Sequence, residues 1–159
     1  MRKVLPNLSE KLKLKTIADF QFGKGAGNVL FPEEITIERS KGTNRIRFVY
    51  LADERVCSFR VKDGYLVPSL MGARLLYENS LGLKVKINQD AEPFVRKGKS
   101  VYCKHIIEAN ANISVREEVI IVNQKEEFIG IGTAKIAGLL MKEMKSGVAV
   151  DTRKGVGMG

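Results

Sequence analysis

The side chains best suited to chemistry lie in one short run of the chain, residues 93–105. Its central part contains four cations and no acidic residue, namely Arg96, Lys97, Lys99 and Lys104. Positive charges gathered this closely, with no carboxylate among them, favour an anionic ligand. We therefore take this run as the first candidate for a binding surface.

Two predicted elements would position these cations. Residues 90–97 have acidic side chains in the first turn and basic ones in the last, which is typical of a short helix, and Gly98 ends it. Residues 100–107 alternate apolar and polar side chains in the manner of a strand. One face of that strand would carry a hydroxyl, a ring and an ammonium group, from Ser100, Tyr102 and Lys104.

The sequence Gly98-Lys99-Ser100 has the ending of a nucleotide-binding P-loop. A P-loop also needs a glycine five positions before Gly98, so that backbone amides can cradle phosphates. Pro93 occupies that position and has no amide proton. A helix-terminating glycine is the better interpretation.

Two other motifs could hold a metal or a cofactor. Cys103 and His105 are two residues apart, but closed zinc sites take four ligands and the chain offers only Cys57 besides. Residues 23–27, with three glycines, resemble half of a dinucleotide fingerprint, yet they follow a predicted helix and not a strand. The sequence therefore predicts no metal and no cofactor.

Composition bounds the class of protein. A chain of 159 residues with 44% hydrophobic residues can bury one ordinary core or two small ones. Its net charge of +9 is shared by both halves, which favours an extended contact with an anionic partner. Nucleic acid is the first candidate and an acidic membrane surface the second. General basicity for solubility stays open as an alternative.

Cysteine usage and hydropathy indicate the compartment. The two cysteines fall in different predicted strands and give no disulfide framework, which suits a reducing cytoplasm. The chain has no run of 18 apolar residues and no apolar core typical of a signal peptide near its first residue. We expect a cytoplasmic protein that does not contact a membrane.

The first half of the chain reads as helix, sheet and helix. Ser9 could cap a helix that runs to about Phe22, and a second helix would end near Glu78. Between them, residues 34–40 and 45–52 predict a hairpin around the turn 41–44. One face of this ribbon would be basic, with Arg39, Lys41, Arg45 and Arg47.

The second half, after a boundary at 79–82, predicts a small and partly closed β-barrel of α+β type. Its strands are expected at 84–87, 100–107, 119–122, 128–136 and 148–153, with a helix at 137–145. Gly130 and Gly132 leave one face of a strand bare, so that either a helix or the backbone of a ligand would approach there. The last five residues read as a frayed tail.

Residues 83–154 resemble the PUA domain, an RNA-binding module named after pseudouridine synthases and archaeosine transglycosylases. The resemblance is carried by PFVRKGKSV at 93–101, EVIIVN at 118–123, GIGTA at 130–134 and GVAV at 147–150. These segments stand in the order and spacing of that family.

Residues 14–78 are similar to the domain that precedes PUA in archaeal tRNA-guanine transglycosylase, the enzyme that starts archaeosine formation. The segments that carry this match are IADFQFGKGAG at 17–27, LFP at 30–32, DGYL at 63–66 and GA at 72–73. The two resemblances imply a pre-PUA domain at 1–82 and a PUA domain at 83–159. The implied fold is α+β, with an N-terminal antiparallel sheet and flanking helices followed by a small PUA-type barrel with interleaved helices.

The resemblance implies binding of tRNA, with its acceptor stem and 3′ end lying along residues 96–104. The RNA-binding residues that we predict are Arg96, Lys97, Gly98, Lys99, Ser100, Tyr102, Lys104, Gly130, Gly132, Arg39, Lys41, Arg45 and Arg47.

The resemblance also implies that this chain alone does not catalyse a reaction. The transglycosylase barrel, with its carboxylate nucleophile and zinc site, has no counterpart in the sequence. The catalytic motif of the related archaeosine synthase is built on a Pro-Cys pair, and neither Cys57 nor Cys103 follows a proline.

We therefore expect a noncatalytic, freestanding subunit that presents tRNA to a separate transglycosylase or archaeosine synthase. A freestanding PUA protein that binds rRNA in translation or ribosome assembly is the alternative, and an enzyme in its own right is the third hypothesis. The sequence leaves the oligomeric state open.

Overall fold

The chain folds as two units, of which the first ends at Leu81 and the second begins at Gly82. The structure is a computed structural model that describes residues 2–158. Each unit has its own sheet and its own buried core. The boundary predicted from the sequence lies one residue later, after Gly82.

The first unit is a five-stranded antiparallel sheet with helices. The elements are β1 (Lys3–Val4), α1 (Leu8–Phe22), α2 (Ala26–Leu30), β2 (Ile35–Arg39), β3 (Ile46–Leu51), β4 (Glu54–Phe59), β5 (Leu66–Pro68) and α3 (Leu70–Glu78). The strands pair in the order of the chain, with short connections from β2 to β5, whereas α1 and α2 lie between β1 and β2.

Helix α1 begins earlier than predicted, because Asn7 and not Ser9 caps it. The Asn7 side chain accepts a hydrogen bond from the Glu10 amide at 2.8 Å, and the Asn7 amide donates to the Glu10 carboxylate at 3.0 Å. This reciprocal pair satisfies two amides that a helix N-terminus would otherwise leave free.

The glycine-rich loop after α1 leads into α2, a short helix that was not predicted from the sequence. Gly23 ends α1 with a positive φ of 114°, which favours glycine. In α2, a Cβ on Gly27 would lie 2.6 Å from the Lys15 backbone, so this glycine allows the two helices to pack closely. The loop therefore serves helix packing, and not the phosphates of a dinucleotide.

The helices cover only one face of the first sheet. Ile37, Val49 and Cys57 lie opposite one another on adjacent strands and are buried in the core. Gly72 of α3 lies against the Val56 carbonyl of β4, where a side chain would not fit. Gln21 of α1 exchanges two hydrogen bonds with the backbone of Leu66.

The second unit is a six-stranded sheet that curls into a nearly closed barrel. The strand order is β7-β11-β10-β9-β6-β8, and the pair β6–β9 is parallel while the other pairs are antiparallel. The predicted α+β fold class is thereby confirmed. The elements are β6 (Leu83–Ile87), α4 (Glu92–Arg96), β7 (Val101–Tyr102), β8 (Ile106–Ala109), β9 (Glu118–Val122), β10 (Phe128–Ala134), α5 (Gly138–Met141) and β11 (Val148–Gly155).

The single strand predicted at residues 100–107 is wrong. Strand β7 stops at Tyr102, residues Cys103–His105 form a 3₁₀ turn, and β8 starts at Ile106. This turn lets β7 pair with β11 while β8 pairs with β6 at the other edge of the sheet. The predicted alternation of burial survives the turn, because Val101 and Cys103 are buried while Tyr102 and Lys104 are exposed.

The bare face at Gly130 and Gly132 is filled by the protein itself. Both glycines are buried, and a Cβ on either would lie within 2.7 Å of a carbonyl oxygen of β11, that of Lys154 or of Asp151. The approach of RNA backbone that we expected there is contradicted by this packing, because the neighbouring strand occupies the space.

The tail predicted to fray is docked. Strand β11 continues to Gly155, and the Val156 amide donates to the Ile129 carbonyl at 3.0 Å. The Gly157 amide donates to the Arg96 carbonyl at 2.8 Å, which joins the tail to the end of α4. The last residue of the predicted tail, Gly159, lies outside the described residues.

A buried carboxylate links three strands of the second unit. Glu118 of β9 has a fully buried side chain and accepts hydrogen bonds from Thr133 of β10 at 2.7 Å and from Arg153 of β11. Buried charges are tolerated when they are paired and hydrogen-bonded in this way.

Within residues 2–158 we find no helix of the length and apolar character that crossing a membrane requires.

Replacing Gly155 by alanine should destabilise the second unit. The added methyl group would collide with the carbonyl oxygens of Val95 and Arg96, and overpacking of this kind costs about 1–3 kcal/mol. Chemical denaturation would measure the destabilisation. Gly42→Ala is the control, because Gly42 has open space around its Cα, and equal destabilisation in both variants would contradict the packing argument.

Replacing Glu118 by alanine should lower the free energy of unfolding by about 1–3 kcal/mol, since two donors lose their buried acceptor. Glu143→Gln, an exposed change in the same unit, should stay within about 0.5 kcal/mol of the unaltered chain. Similar midpoints for the two variants in a urea titration would show that the buried carboxylate does not hold the strands together.

Candidate nucleic-acid interface

The predicted cations lie on one continuous stretch, residues 96–104, which we name the cationic segment. Arg96 is the last residue of α4, Lys97 caps that helix, and Lys99 follows in the loop before β7. Lys104 lies in the 3₁₀ turn after β7. The structure therefore presents the four cations in sequence along one helix end, one loop and one turn.

Arg96 is held in place by an ion pair. Its guanidinium contacts the Glu92 carboxylate twice at 2.8 Å, and Asn123 donates to the same carboxylate at 3.2 Å. Burial alone would raise the pKa of Glu92, but the hydrogen bonds from Asn123 and Arg96 outweigh it and hold that pKa below its ordinary value. Arg96 keeps 38% of its side chain exposed, so it can still meet a ligand from a fixed position.

The other three cations have no anionic partner within the described chain. Lys97, Lys99 and Lys104 are exposed, and none of them makes an ion pair with another residue in the range 2–158. Their charges are free to neutralise a bound anion, and a row of such charges is the usual contact of proteins with a phosphate backbone.

Gly98 and Ser100 serve the shape of the cationic segment. Gly98 has a positive φ of 91°, and a Cβ there would lie 2.7 Å from the sulfur of Met158. The Ser100 hydroxyl lies 3.5 Å from the Asp151 carboxylate. These contacts give both residues a role within the protein, and their predicted contact with RNA stays a prediction.

Two exposed aromatic rings flank the lysines. Tyr102 is 49% exposed, and Phe94 on α4 is 62% exposed although its side chain is entirely apolar. The Lys99 amide donates to the Phe94 carbonyl at 3.0 Å, which places the two residues side by side. Sequence reasoning missed Phe94, because a five-residue helix shows no periodicity from which the solvent-facing side could be identified.

The fold brings a second loop, which contains one more cation, beside the cationic segment. The Cys103 amide donates to the Gly147 carbonyl at 2.9 Å, so the loop before β11 runs beside the turn that carries Lys104. Lys145 in that loop is exposed. The sequence contains no local signal for this proximity, because the two loops are more than forty residues apart in the chain.

The basic ribbon of the first unit is only partly as predicted. Arg39 forms a two-pronged ion pair with Glu10 of α1, one arm at 2.9 Å. Hydrogen bonding to Arg39 lowers the pKa of Glu10, and the same pair raises the pKa of Arg39. Lys41 and Arg45 are exposed in the turn before β3. Arg39 therefore ties the hairpin to a helix, and the free charges are those at its tip.

Arg47 points differently from the prediction because β3 contains a bulge. Glu38 pairs with Phe48 and Arg39 pairs with Ile46, so Arg47 is the extra residue. A bulge re-aims the side chain that it inserts. The Arg47 guanidinium lies over the Phe48 ring, 5.1 Å from its centroid. Phe48, on the apolar side of the predicted ribbon, is partly exposed.

The two cysteines are not placed to act as nucleophiles. Both thiols are buried, and burial raises the pKa of Cys57 and of Cys103, which disfavours the reactive thiolate. No group of three His, Cys, Asp or Glu side chains within the described residues is arranged to hold a metal ion. The chemistry that this arrangement supports is electrostatic and stacking contact with an anionic polymer.

Comparison with protein families assigns a domain to each unit. Residues 12–81 match the patch-forming domain C2 of tRNA-guanine transglycosylase. Residues 83–156 match the PUA domain. Both resemblances found in the sequence are thereby confirmed.

Curated relatives named tRNA-guanine(15) transglycosylase match almost the whole chain. The protein of Methanothermobacter thermautotrophicus is 40% identical over 98% of this chain and 24% of its own length. The proteins of Pyrococcus furiosus and Thermococcus kodakarensis are 37% and 34% identical over 91% and 88% of this chain, and over 25% and 24% of their own lengths. The chain thus spans about a quarter of the length of these relatives.

Solved structures support the fold. A hypothetical protein of Pyrococcus horikoshii has a TM-score of 0.73 at 18% identity, with 97% of this chain and 94% of that chain covered. A PUA domain protein from Thermoplasma acidophilum has a TM-score of 0.67 at 17% identity, with 97% and 93% covered. At these identities the likeness concerns the fold alone.

The domain matches, the relatives and the fold agree with one another. The chain therefore joins a domain C2 of the tRNA-guanine transglycosylase type to a PUA domain, and it resembles the C-terminal region of those enzymes.

Proposed function

We propose that this chain is a noncatalytic tRNA-binding protein that presents tRNA to a separate tRNA-guanine transglycosylase or archaeosine synthase. The observation that carries the proposal is the row of unpaired lysines on the cationic segment, within a PUA domain. The relatives that match both domains are named tRNA-guanine(15) transglycosylases, which supports tRNA as the ligand.

The acceptor stem and 3′ end of tRNA suit the cationic segment. A stem offers a line of phosphates to Lys97, Lys99 and Lys104, and these contacts bind with little regard to base sequence. An unpaired 3′ end offers bases that can stack on the exposed rings of Phe94 and Tyr102. Cations and rings together thus match a helix that ends in a single strand.

In the first unit, Lys41 and Arg45 at the hairpin tip extend the proposed contact with phosphates. Arg39 supports it indirectly, since its pair with Glu10 fixes the base of the hairpin. Gly130 and Gly132 lie outside the proposed interface because the protein buries them.

The absence of catalysis by this chain is part of the proposal. Both thiols are buried, and the Glu92 carboxylate is held by Arg96, so the proposal assigns neither a cysteine nor Glu92 to catalysis. A separate modification subunit would supply the reaction, and this chain would supply affinity for its substrate.

Replacing Lys99 by glutamine should weaken tRNA binding and reduce its dependence on salt. Removing one phosphate-binding charge should lower the slope of log affinity against log salt by about one. Fluorescence anisotropy across a salt series would measure both quantities. Lys62→Gln, an exposed change outside the interface, is the control, and equal slopes in the two variants would place the phosphate-binding charges elsewhere.

Removing the 3′ single-stranded end of tRNA should also weaken binding, because the stacked bases are removed with it. The expected reduction is about fivefold or more, from about 1 kcal/mol for each stacked base. Competition between intact and trimmed tRNA would measure it. Equal affinity, together with equal binding of an rRNA helix, would favour the freestanding module in translation over the delivery of tRNA.

A further inference from the structure

The outer face of the first sheet carries rings and cations where a solvated sheet face would carry simple polar side chains. In the register of the sheet, Phe48 lies opposite Ser58 and Tyr50 lies opposite Arg55. Successive residues of a strand point to opposite faces, and Val49 between the two aromatics enters the core. Phe48 and Tyr50 therefore face away from the helices, and both are partly exposed.

Three cations lie on these two rings. The Arg55 and Arg47 guanidinium carbons are 4.8 and 5.1 Å from the centroid of Phe48, and the Lys3 ammonium is 4.2 Å from that of Tyr50. The rings themselves meet edge to face, with centroids 6.5 Å apart. We name this group of five side chains the ring–cation face.

The two arginines of this face lack the anionic partner that several other arginines of the chain have. Arg39, Arg60 and Arg96 are each paired with a carboxylate. Neither Arg47 nor Arg55 makes an ion pair with any residue between 2 and 158. Their charges remain uncompensated, which suits an anionic ligand.

Two acidic groups beside this face are engaged with the protein. Glu38 accepts a hydrogen bond from the Tyr50 hydroxyl at 3.3 Å, and Asp53 lies 3.4 Å from the Lys3 ammonium. The Lys3 charge is thus shared with an exposed carboxylate, and the two guanidinium groups carry the excess positive charge.

We propose that the ring–cation face binds an unpaired stretch of RNA, with bases stacked on the rings and guanidinium planes and phosphates held by the arginines. Flat guanidinium groups and aromatic rings are the surfaces on which single-stranded bases stack, and duplex RNA, whose bases are already stacked, cannot use them. The proposal deepens the proposed tRNA-binding function and rests on it. It differs in chemistry from the lysines of the cationic segment, which suit phosphates of a stem.

The fluorescence of a single introduced tryptophan can test this proposal, because the chain contains no tryptophan of its own. Phe48→Trp keeps an aromatic surface at the centre of the face, and a base stacked on it should quench the indole fluorescence. The probes are an oligouridine of about twelve nucleotides and a blunt RNA duplex with no unpaired nucleotide. We expect quenching with oligouridine and none with the duplex.

Matched variants separate stacking from charge. Phe48→Leu, which removes the ring, should weaken oligouridine binding roughly fivefold to a hundredfold and leave duplex binding unchanged. Arg55→Lys keeps the charge but removes the plane, so weaker binding there shows stacking even if Phe48→Leu fails to fold. Arg55→Gln removes both the charge and the guanidinium plane. The control is Lys24→Gln, in the loop between α1 and α2, which removes one charge elsewhere and should have little effect on oligouridine binding.

The outcomes distinguish this inference from the proposed function. Binding of tRNA and duplex with no quenching in Phe48→Trp, and with equal oligouridine affinity in Arg55→Lys and the unaltered chain, would overturn the inference alone. Failure of the unaltered chain to bind tRNA at all would overturn the proposed function and the inference with it. Quenching together with selectively weakened oligouridine binding in Arg55→Lys would support the inference.

Discussion

Strand β11 is the element on which the second unit depends, because it pairs on both edges and then continues along α4. Its partners are β10 on one side and β7 on the other. Its approach is close enough that glycines are required at Gly130 and Gly132 on β10 and at Gly155 on β11 itself. Through Gly157 the same segment reaches the backbone of Arg96. The position of the cationic segment is therefore set by main-chain packing, and its side chains are left free to bind.

The distinction between paired and unpaired cations organises both proposed binding surfaces. In a basic protein, the total charge says little about where a ligand binds, since many charges are neutralised within the fold. Arg39 and Arg96 pair with carboxylates of the protein itself, Glu10 and Glu92. The lysines of the cationic segment and the arginines of the ring–cation face have no carboxylate partner among the described residues, so the proposed interfaces lie where the fold leaves charge uncompensated.

The parts of the fold that could be predicted from the sequence are those encoded by local patterns. The helices at α1 and α3, most strands and the fold class follow from periodicity, glycines and capping residues. What could not be predicted depends on partners distant in the chain. The bulge at Arg47 depends on how β2 aligns with β3. The 3₁₀ turn at Cys103 depends on a hydrogen bond to the Gly147 carbonyl, and the burial of Gly132 depends on the neighbouring strand β11. The sequence identified the candidate cations by residue type, but the structure was needed to tell which of them lack a carboxylate partner and can bind a ligand.

The parallel pair β6–β9 has a consequence for the order in which the two units fold. Strands β2 to β5 of the first sheet follow one another closely in the chain, so each of these pairs can form as soon as its hairpin closes. In the second unit, β6 must wait for β9, and β7 must wait for β11, with long loops to close before either ladder forms. The first sheet is thus expected to form faster, and the cationic segment, whose neighbours are the last strand and the tail, acquires its shape only when the barrel closes.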